Sequence, residues 1–291
     1  MVPGLDISIS QSILSPLGRW GYFKRSFSEG LRDGLEAGAR LHNKRETSME
    51  RWTQSRPLIA EERRTPAYFD ASFATAFVMR HVHVKFVRLY ARVLSPALPK
   101  RSPIRAADYG SGTGVFASEL CRCCTRAEIQ LTLIDQSEVM LHAAKKLNSR
   151  RHLFPIQFKL GDFTADSQKY DLIIMSNVIH NFENILFLLL KARTSLTSRG
   201  LLMIRSATPN QIQSYEWRSF FPTANYLDYR RHYDRINIVS GLSSAGFELI
   251  TARNIDETTS VRSADYHNMF ENKYLSSMYT PFTSQPENPW G

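Results

Sequence analysis

Hydrophobic positions follow two different spacings along residues 104–255. Short apolar runs of four to seven residues are separated by longer segments in which apolar residues recur every three or four positions. The runs predict buried strands and the longer segments predict amphipathic helices. Six strands are predicted, in IRAADYG, EIQLTLIDQ, FPIQFKLGDF, YDLIIMSNV, GLLMIRS and FELITARNI. This alternation predicts an α/β fold built on a doubly wound, mostly parallel sheet.

The predicted helices carry boundary signals of their own. Ser137 precedes the helix after the second strand and is predicted to be its N-cap. Gly200 and Gly246 are predicted to end the helices before the fifth and sixth strands. Ahead of the first strand, a helix beginning near Phe73 has one apolar face: Val78, Val82, Phe86, Leu89 and Val93.

Charge is unevenly distributed along the chain. Residues 1–105 hold 18 Lys and Arg against 9 Asp and Glu, whereas residues 106–291 hold 19 against 18. The near-neutral second part does not favour nucleic acid as a partner. We interpret the basic first part as a solvated segment, with contact to nucleic acid or an anionic membrane as the alternative.

Cysteine usage and hydropathy limit the class of protein further. The cysteines, Cys121, Cys123 and Cys124, are three in number and clustered, which is typical of neither a disulfide framework nor a zinc site. No metal site is therefore predicted. No apolar run reaches the roughly 20 residues of a membrane span. These features predict a cytoplasmic protein, with organelle import of the Ser- and Arg-containing N-terminus as the alternative.

The stretch AADYGSGTGVFASEL occupies the turn between the first strand and the next helix. Ligands of such sheets bind at the carboxyl ends of the strands, where glycine lets the backbone approach them closely. Gly110, Gly112 and Gly114 are spaced as G-x-G-x-G, which differs from the G-x-G-x-x-G of dinucleotide sites. Asp108, just ahead of the loop, also disfavours a phosphate there.

This glycine pattern after an acid resembles motif I of the class I S-adenosylmethionine-dependent methyltransferases. Further features follow in the family's order over about residues 106–255: Asp135, 21 residues beyond Gly114, then GDF, then SNVIHNF. The resemblance implies S-adenosyl-L-methionine as cofactor. SNVIHNF lacks the prolines of the DNA amino-methylases and is similar to the small-molecule enzymes, although Asn181 replaces a second histidine. A small-molecule substrate is therefore implied, and no oligomeric state is predicted.

The resemblance also implies which residues contact the cofactor. It implies Asp108 near the methionine part, Asp135 at the ribose hydroxyls and Asp162 at the adenine amino group. The alternatives are helix capping for Asp108 and for Asp135, a turn position for Asp162 and core packing for Phe163. The full predicted set is Asp108, Gly110, Ser111, Gly112, Gly114, Asp135, Gln136, Asp162, Phe163 and Asn177.

The resemblance implies one candidate catalytic residue, His180, which follows the fourth strand and is the one well-placed base for a nucleophile that arrives protonated. Packing beneath the next helix is the alternative interpretation. Two other functions stay open. The first is a catalytically weak or silent methyltransferase-like binding or regulatory protein, and the second is an RNA or protein methyltransferase.

The family pattern divides the chain as follows. We expect a basic, partly disordered N-terminal extension, then the methyltransferase domain with its core, an aromatic lid insertion and a C-terminal helix–strand–helix segment, and last a tail. The ranges are 1–65 for the extension, 66–280 for the domain, 106–206 for its core, 207–235 for the lid, 236–280 for the C-terminal segment and 281–291 for the tail.

One element of the family pattern is not found in the sequence. The family's seventh strand lies between the fifth and the sixth, yet the sequence after Ile255 reads as helix and ends in PFTSQPENPWG, without strand character. The sixth strand would then have an unpaired edge. We therefore expect either a marginally stable, weakly active chain, or a sheet completed by direct pairing of the two strands or by a segment of the N-terminal extension.

Overall fold

The computed structural model describes residues 2–10, 84–100, 102–124, 128–149, 155–163, 166–213 and 228–257. The strands are β1 (Val2–Ser10), β2 (Ile104–Tyr109), β3 (Ile129–Asp135), β4 (Ile156–Leu160), β5 (Tyr170–Ser176), β6 (Leu196–Ser206) and β7 (Glu248–Glu257). The helices are α1 (Val84–Leu94), α2 (Val115–Cys123), α3 (Glu138–Asn148), α4 (Ile185–Ser195), α5 (Pro209–Gln213) and α6 (Arg235–Ser244), with 3-10 turns at Ser95–Ala97 and Ile179–Asn181.

These strands form one sheet in the order β4-β3-β2-β5-β6-β1-β7. Strands β2 to β6 pair in parallel, as crossover connections through helices require. The predicted α/β fold with a doubly wound, mostly parallel sheet is therefore confirmed. The order reverses at β2, so the turns that leave β2 and β5 lie side by side at the carboxyl edge.

The N-terminal strand β1 occupies the place between the predicted fifth and sixth strands. It pairs antiparallel with β6 and with β7, and Ile7 lies opposite Ile204 on one side and Ala252 on the other. Residues 2–10, which the sequence analysis assigned to an extension outside the core, thus belong to the sheet. Of the two ways of completing the sheet, insertion of an N-terminal segment is the one observed. Residues after 257 lie outside the described part of the chain.

The core consists of two apolar clusters, one on each face of the sheet. Helices α4 and α6 cover one face, and α1, α2 and α3 cover the other. Strand β5 is buried along nearly its whole length, as expected for a strand with helices on both faces. The buried residues of α4 occur at helical spacing: Ile185, Leu188, Leu189 and Ala192.

Two of the three boundary predictions are confirmed and one is wrong. Ser137 caps α3, its Oγ accepting the Met140 N–H at 3.3 Å. Gly246 ends α6 with φ +78, and its N–H donates to the Ser243 carbonyl at 2.9 Å. Gly200 does not end α4, because the helix stops at Ser195 and β6 begins at Leu196, which pairs with Tyr170 of β5. Pairing with a distant strand overrides the local signal there.

Candidate functional site

The loop between β2 and α2 is held in an unusual conformation by its three glycines. Gly110, Gly112 and Gly114 have φ values of +66, +55 and +67, in the left-handed region that side chains disfavour. The N–H groups of Gly110 and Ser111 both donate to the carbonyl of Ile134, at 2.9 and 3.0 Å. The loop is therefore tied to the end of β3.

Steric crowding, in addition to the left-handed backbone, requires glycine at two positions of this loop. A Cβ on Gly110 would overlap the side chain of Val178, and one on Gly114 would overlap Leu133. Val178 belongs to the turn after β5, so Gly110 is where the two turns at the reversal of strand order touch. This close approach brings the predicted cofactor loop against the predicted catalytic turn.

Gly110→Ala should therefore lower the free energy of unfolding by about 2 kcal/mol, because it combines a left-handed backbone with a steric overlap. Urea denaturation measures the effect. Ser111→Ala is the matched control: the Ser111 Oγ is buried without a partner among the described residues, so its removal should not destabilise the protein. Equal stability of Gly110→Ala and the wild type would contradict this account of the loop.

Asp135 joins the glycine loop to the N-terminus of α3. Its Oδ2 accepts the Gly112 N–H at 2.7 Å and its Oδ1 accepts the Ser137 N–H at 2.9 Å. Burial raises the pKa of Asp135, while these N–H groups and that of Gln136 act in the opposite direction. A carboxylate offers about four acceptor positions and these three N–H groups use three of them, so the group can still accept a hydrogen bond from a hydroxyl of a ligand.

Asp108 is a buried carboxylate with an unused oxygen. It lies near the end of β2, is 2% exposed, and its Oδ1 has no hydrogen-bond partner among the described residues. Burial raises the pKa of Asp108 well above its usual value, and the charge of Asp135 raises it further. A lone carboxylate in such a position suits a ligand that brings its own positive charge and N–H donors.

The turn after β4 meets the same edge of the sheet. The Gly161 N–H donates to the Asp135 carbonyl at 3.0 Å, and Asp162 is exposed. Phe163 is buried and stacks on Tyr109 with ring centroids 4.4 Å apart. This packing agrees with the core interpretation of Phe163. Adenine contact by Asp162 or Phe163 stays a prediction, as does a contact by the exposed Gln136.

The turn after β5 begins with a residue in the left-handed region. Asn177 has φ +54, is exposed, and its N–H donates to the Arg205 carbonyl at 2.7 Å. His180 follows on the 3-10 turn Ile179–Asn181, with its Nδ1 buried and lacking a partner among the described residues. Burial, His232 and Arg231, in that order, hold the pKa of His180 well below its usual value. The imidazole is therefore neutral at physiological pH.

A profile of the methyltransferase domain family matches residues 107–202. The matched segment runs from the middle of β2 into β6 and contains the glycine loop, Asp135 and the turn after β5. Residues 107–202 form a class I methyltransferase domain. No curated protein sequence matches the chain.

Solved structures resemble the methyltransferase domain in fold. The plantazolicin methyltransferase BpumL, in complex with a pentazolic desmethylPZN analog and SAH, has a TM-score of 0.47 at 20% identity, over 59% of this chain and 67% of that one. The [4+2]-cyclase SpnF has 0.45 at 18% identity, over 56% and 58%. A SAM-dependent methyltransferase from Aquifex aeolicus has 0.43 at 16% identity, over 53% and 77%.

The residues that sequence reasoning missed come from the second part of the predicted lid. His232 stacks on His180 with ring centroids 4.2 Å apart. Tyr233 donates through its hydroxyl to the carbonyls of Phe182 and Glu183, at 2.5 and 3.0 Å. They lie about 50 residues from the turn that they contact, so no local pattern pointed to them. Residues 214–227 of the predicted lid are outside the described part of the chain.

Two further features, a metal cluster and a membrane-spanning helix, are absent from the described ranges. Across the described ranges, no three His, Cys, Asp or Glu side chains are grouped as a metal site needs. In the same ranges no helix is both long and apolar enough to cross a membrane.

Proposed function

We propose that the chain is a methyltransferase that uses S-adenosyl-L-methionine to methylate a small molecule in the cytoplasm. One observation carries the proposal. At the carboxyl ends of the parallel strands, the Gly112 N–H donates to the Asp135 carboxylate, and the nearby buried Asp108 has an Oδ1 without a hydrogen-bond partner among the described residues. Glycine positions without room for a Cβ complete this arrangement. The residues present therefore fit the cofactor that the family resemblance implies.

Two parts of the cofactor, the ribose and the methionine ammonium, have a group in this chain that would hold them. Asp135 would accept a ribose hydroxyl through its remaining acceptor position, and Asp108 would accept the ammonium of the methionine part. When bound, the cofactor would supply an electrophilic methyl group on a sulfonium, with a neutral thioether as the leaving group that keeps the carbon–sulfur electron pair. The proton of the nucleophile would go to the neutral imidazole of His180.

A small substrate is supported by the surroundings of His180. The segment 228–233 lies against the turn after β5 through the contacts of Arg231, His232 and Tyr233. The ring of His232 covers one face of the His180 ring and shields that face from water. The nearly balanced charge of residues 106–291 also gives no electrostatic reason for a polyanionic substrate.

Calorimetry with S-adenosylmethionine and S-adenosylhomocysteine tests the proposal. We expect a micromolar dissociation constant, about −7 to −8 kcal/mol. Asp135→Ala should weaken binding by about 1–3 kcal/mol, because buried ribose hydroxyls lose their acceptor. Glu138→Gln, an exposed carboxylate three residues further on, is the matched control and should bind like the wild type. Unchanged affinity in a folded Asp135→Ala variant would remove the ribose contact.

A further inference from the structure

We propose that His232 is a positioning residue for His180: it holds the imidazole of His180 in one orientation and uncharged, so that the buried Nδ1 accepts a hydrogen bond from a protic nucleophile. Hydroxyl, amine and azole N–H groups are nucleophiles of this class. The inference rests on the proposed function and adds to it a second imidazole and a substrate chemistry.

The tautomer of His232 follows from one contact. Its Nδ1 lies 2.7 Å from the backbone carbonyl of Asp228. A carbonyl can only accept, so Nδ1 of His232 carries the hydrogen, and in the neutral ring Nε2 carries the lone pair. The rings of His232 and His180 lie at an interplanar angle of 20°, so one nearly parallel imidazole face covers the other.

The ring of His232 is held in place by the residues on either side of it. Arg231 donates to the Oδ1 of Asn181 at 2.7 Å, and the Tyr233 hydroxyl donates to the Phe182 carbonyl. Asn181 stands where the resemblance places a second histidine. The contact of Asn181 with Arg231 helps to place His232, which belongs to another segment, against the ring of His180.

The charged groups around His180 disfavour its protonation. His232 and Arg231 both act on it, and both lower its pKa in addition to burial. The pKa of His232 is itself lowered to about 4, first by burial. The other titratable groups on the two contacting segments are Asp228, Tyr229, Arg230, Tyr233, Asp234 and Glu183.

The buried nitrogen of His180 is best suited to be an acceptor. Of its two ring nitrogens, Nδ1 is the one buried without a partner among the described residues. A buried N–H without a partner is rarer in proteins than an underused acceptor, which favours the hydrogen on Nε2. A lone pair at Nδ1 attracts a nucleophile that has a hydrogen to donate and repels one that arrives as an anion.

Nitrogen-15 NMR of the histidine side chains in the full-length chain tests the proposal without cofactor or substrate. Two-bond proton–nitrogen spectra distinguish a protonated ring nitrogen from one with a lone pair. We expect a lone pair on Nδ1 of His180 and a hydrogen on Nδ1 of His232. His180→Gln and His232→Phe assign the two signals among the 8 histidines. A hydrogen on Nδ1 of His180 would overturn the proposal.

A pH titration of the same signals tests the positioning role. In His232→Ala, His180 should titrate at higher pH than in the wild type, because its ring face becomes open to water. In His232→Phe the ring cover remains, so the titration should stay closer to the wild type. His142→Ala, an exposed histidine on α3, is the control. An unchanged His180 titration in folded His232→Ala would overturn the proposal, independently of the calorimetry that tests cofactor binding.

Discussion

Ile7→Pro should lower the free energy of unfolding by about 3 kcal/mol or more, although Ile7 lies in the first ten residues of the chain. Strand β1 has a neighbour on each side, with Ile7 opposite Ile204 and Ala252. An interior residue of such a strand donates its N–H to one neighbour. Proline has no N–H to donate, and its ring disturbs the ladder as well.

Urea denaturation with a conservative control measures this effect. Ile7→Val keeps the N–H and the β-branched shape, so it should cost only about 1 kcal/mol. Deletion of residues 2–10 should be more severe, because it leaves β6 and β7 without the strand between them and opens edges that promote aggregation. If Ile7→Pro unfolded at the same urea concentration as Ile7→Val, β1 would not be a required part of the sheet.

Asp108→Asn should stabilise the ligand-free protein by about 1–3 kcal/mol and weaken binding of S-adenosylmethionine tenfold or more. The folded-state pKa of Asp108 lies above the ordinary 3.8. Its contribution to stability is therefore present below pH 3.8 and is lost as the pH rises through the raised value. Above the raised pKa the buried charge is a cost that asparagine removes, together with the attraction for the ammonium of the cofactor.

A second buried aspartate provides the contrasting control. Asp171 accepts the Arg105 N–H at 3.1 Å and the Thr197 hydroxyl at 2.9 Å, and the Arg105 guanidinium lies 3.9 Å away. Asp171→Asn should therefore destabilise the protein, since the carboxylate is well satisfied. Urea denaturation and calorimetry measure both variants. A destabilised Asp108→Asn with wild-type affinity would contradict the role given to Asp108.

Local sequence determined the elements whose signals are local. The apolar runs of β2 to β7 each predict a strand. In β2, β3 and β5 most side chains are buried, as expected for strands with helices on both faces. The N-cap at Ser137 and the helix end at Gly246 were predictable because each depends on contacts within about four residues. The glycine loop was recognisable because a left-handed backbone restricts the choice of residue.

Only the tertiary structure decided the features that depend on distant partners. The sequence VPGLDISIS alternates between apolar and polar residues after Pro3 and Gly4, but nothing in it identifies its partners, which are strands about 200 to 250 residues away. The stacking of His232 on His180 is likewise non-local, as is the start of β6 at Leu196 in place of further helix. Backbone pairing and ring contacts of this kind depend on which segments meet in space. The periodicity of apolar residues along the chain does not identify those segments.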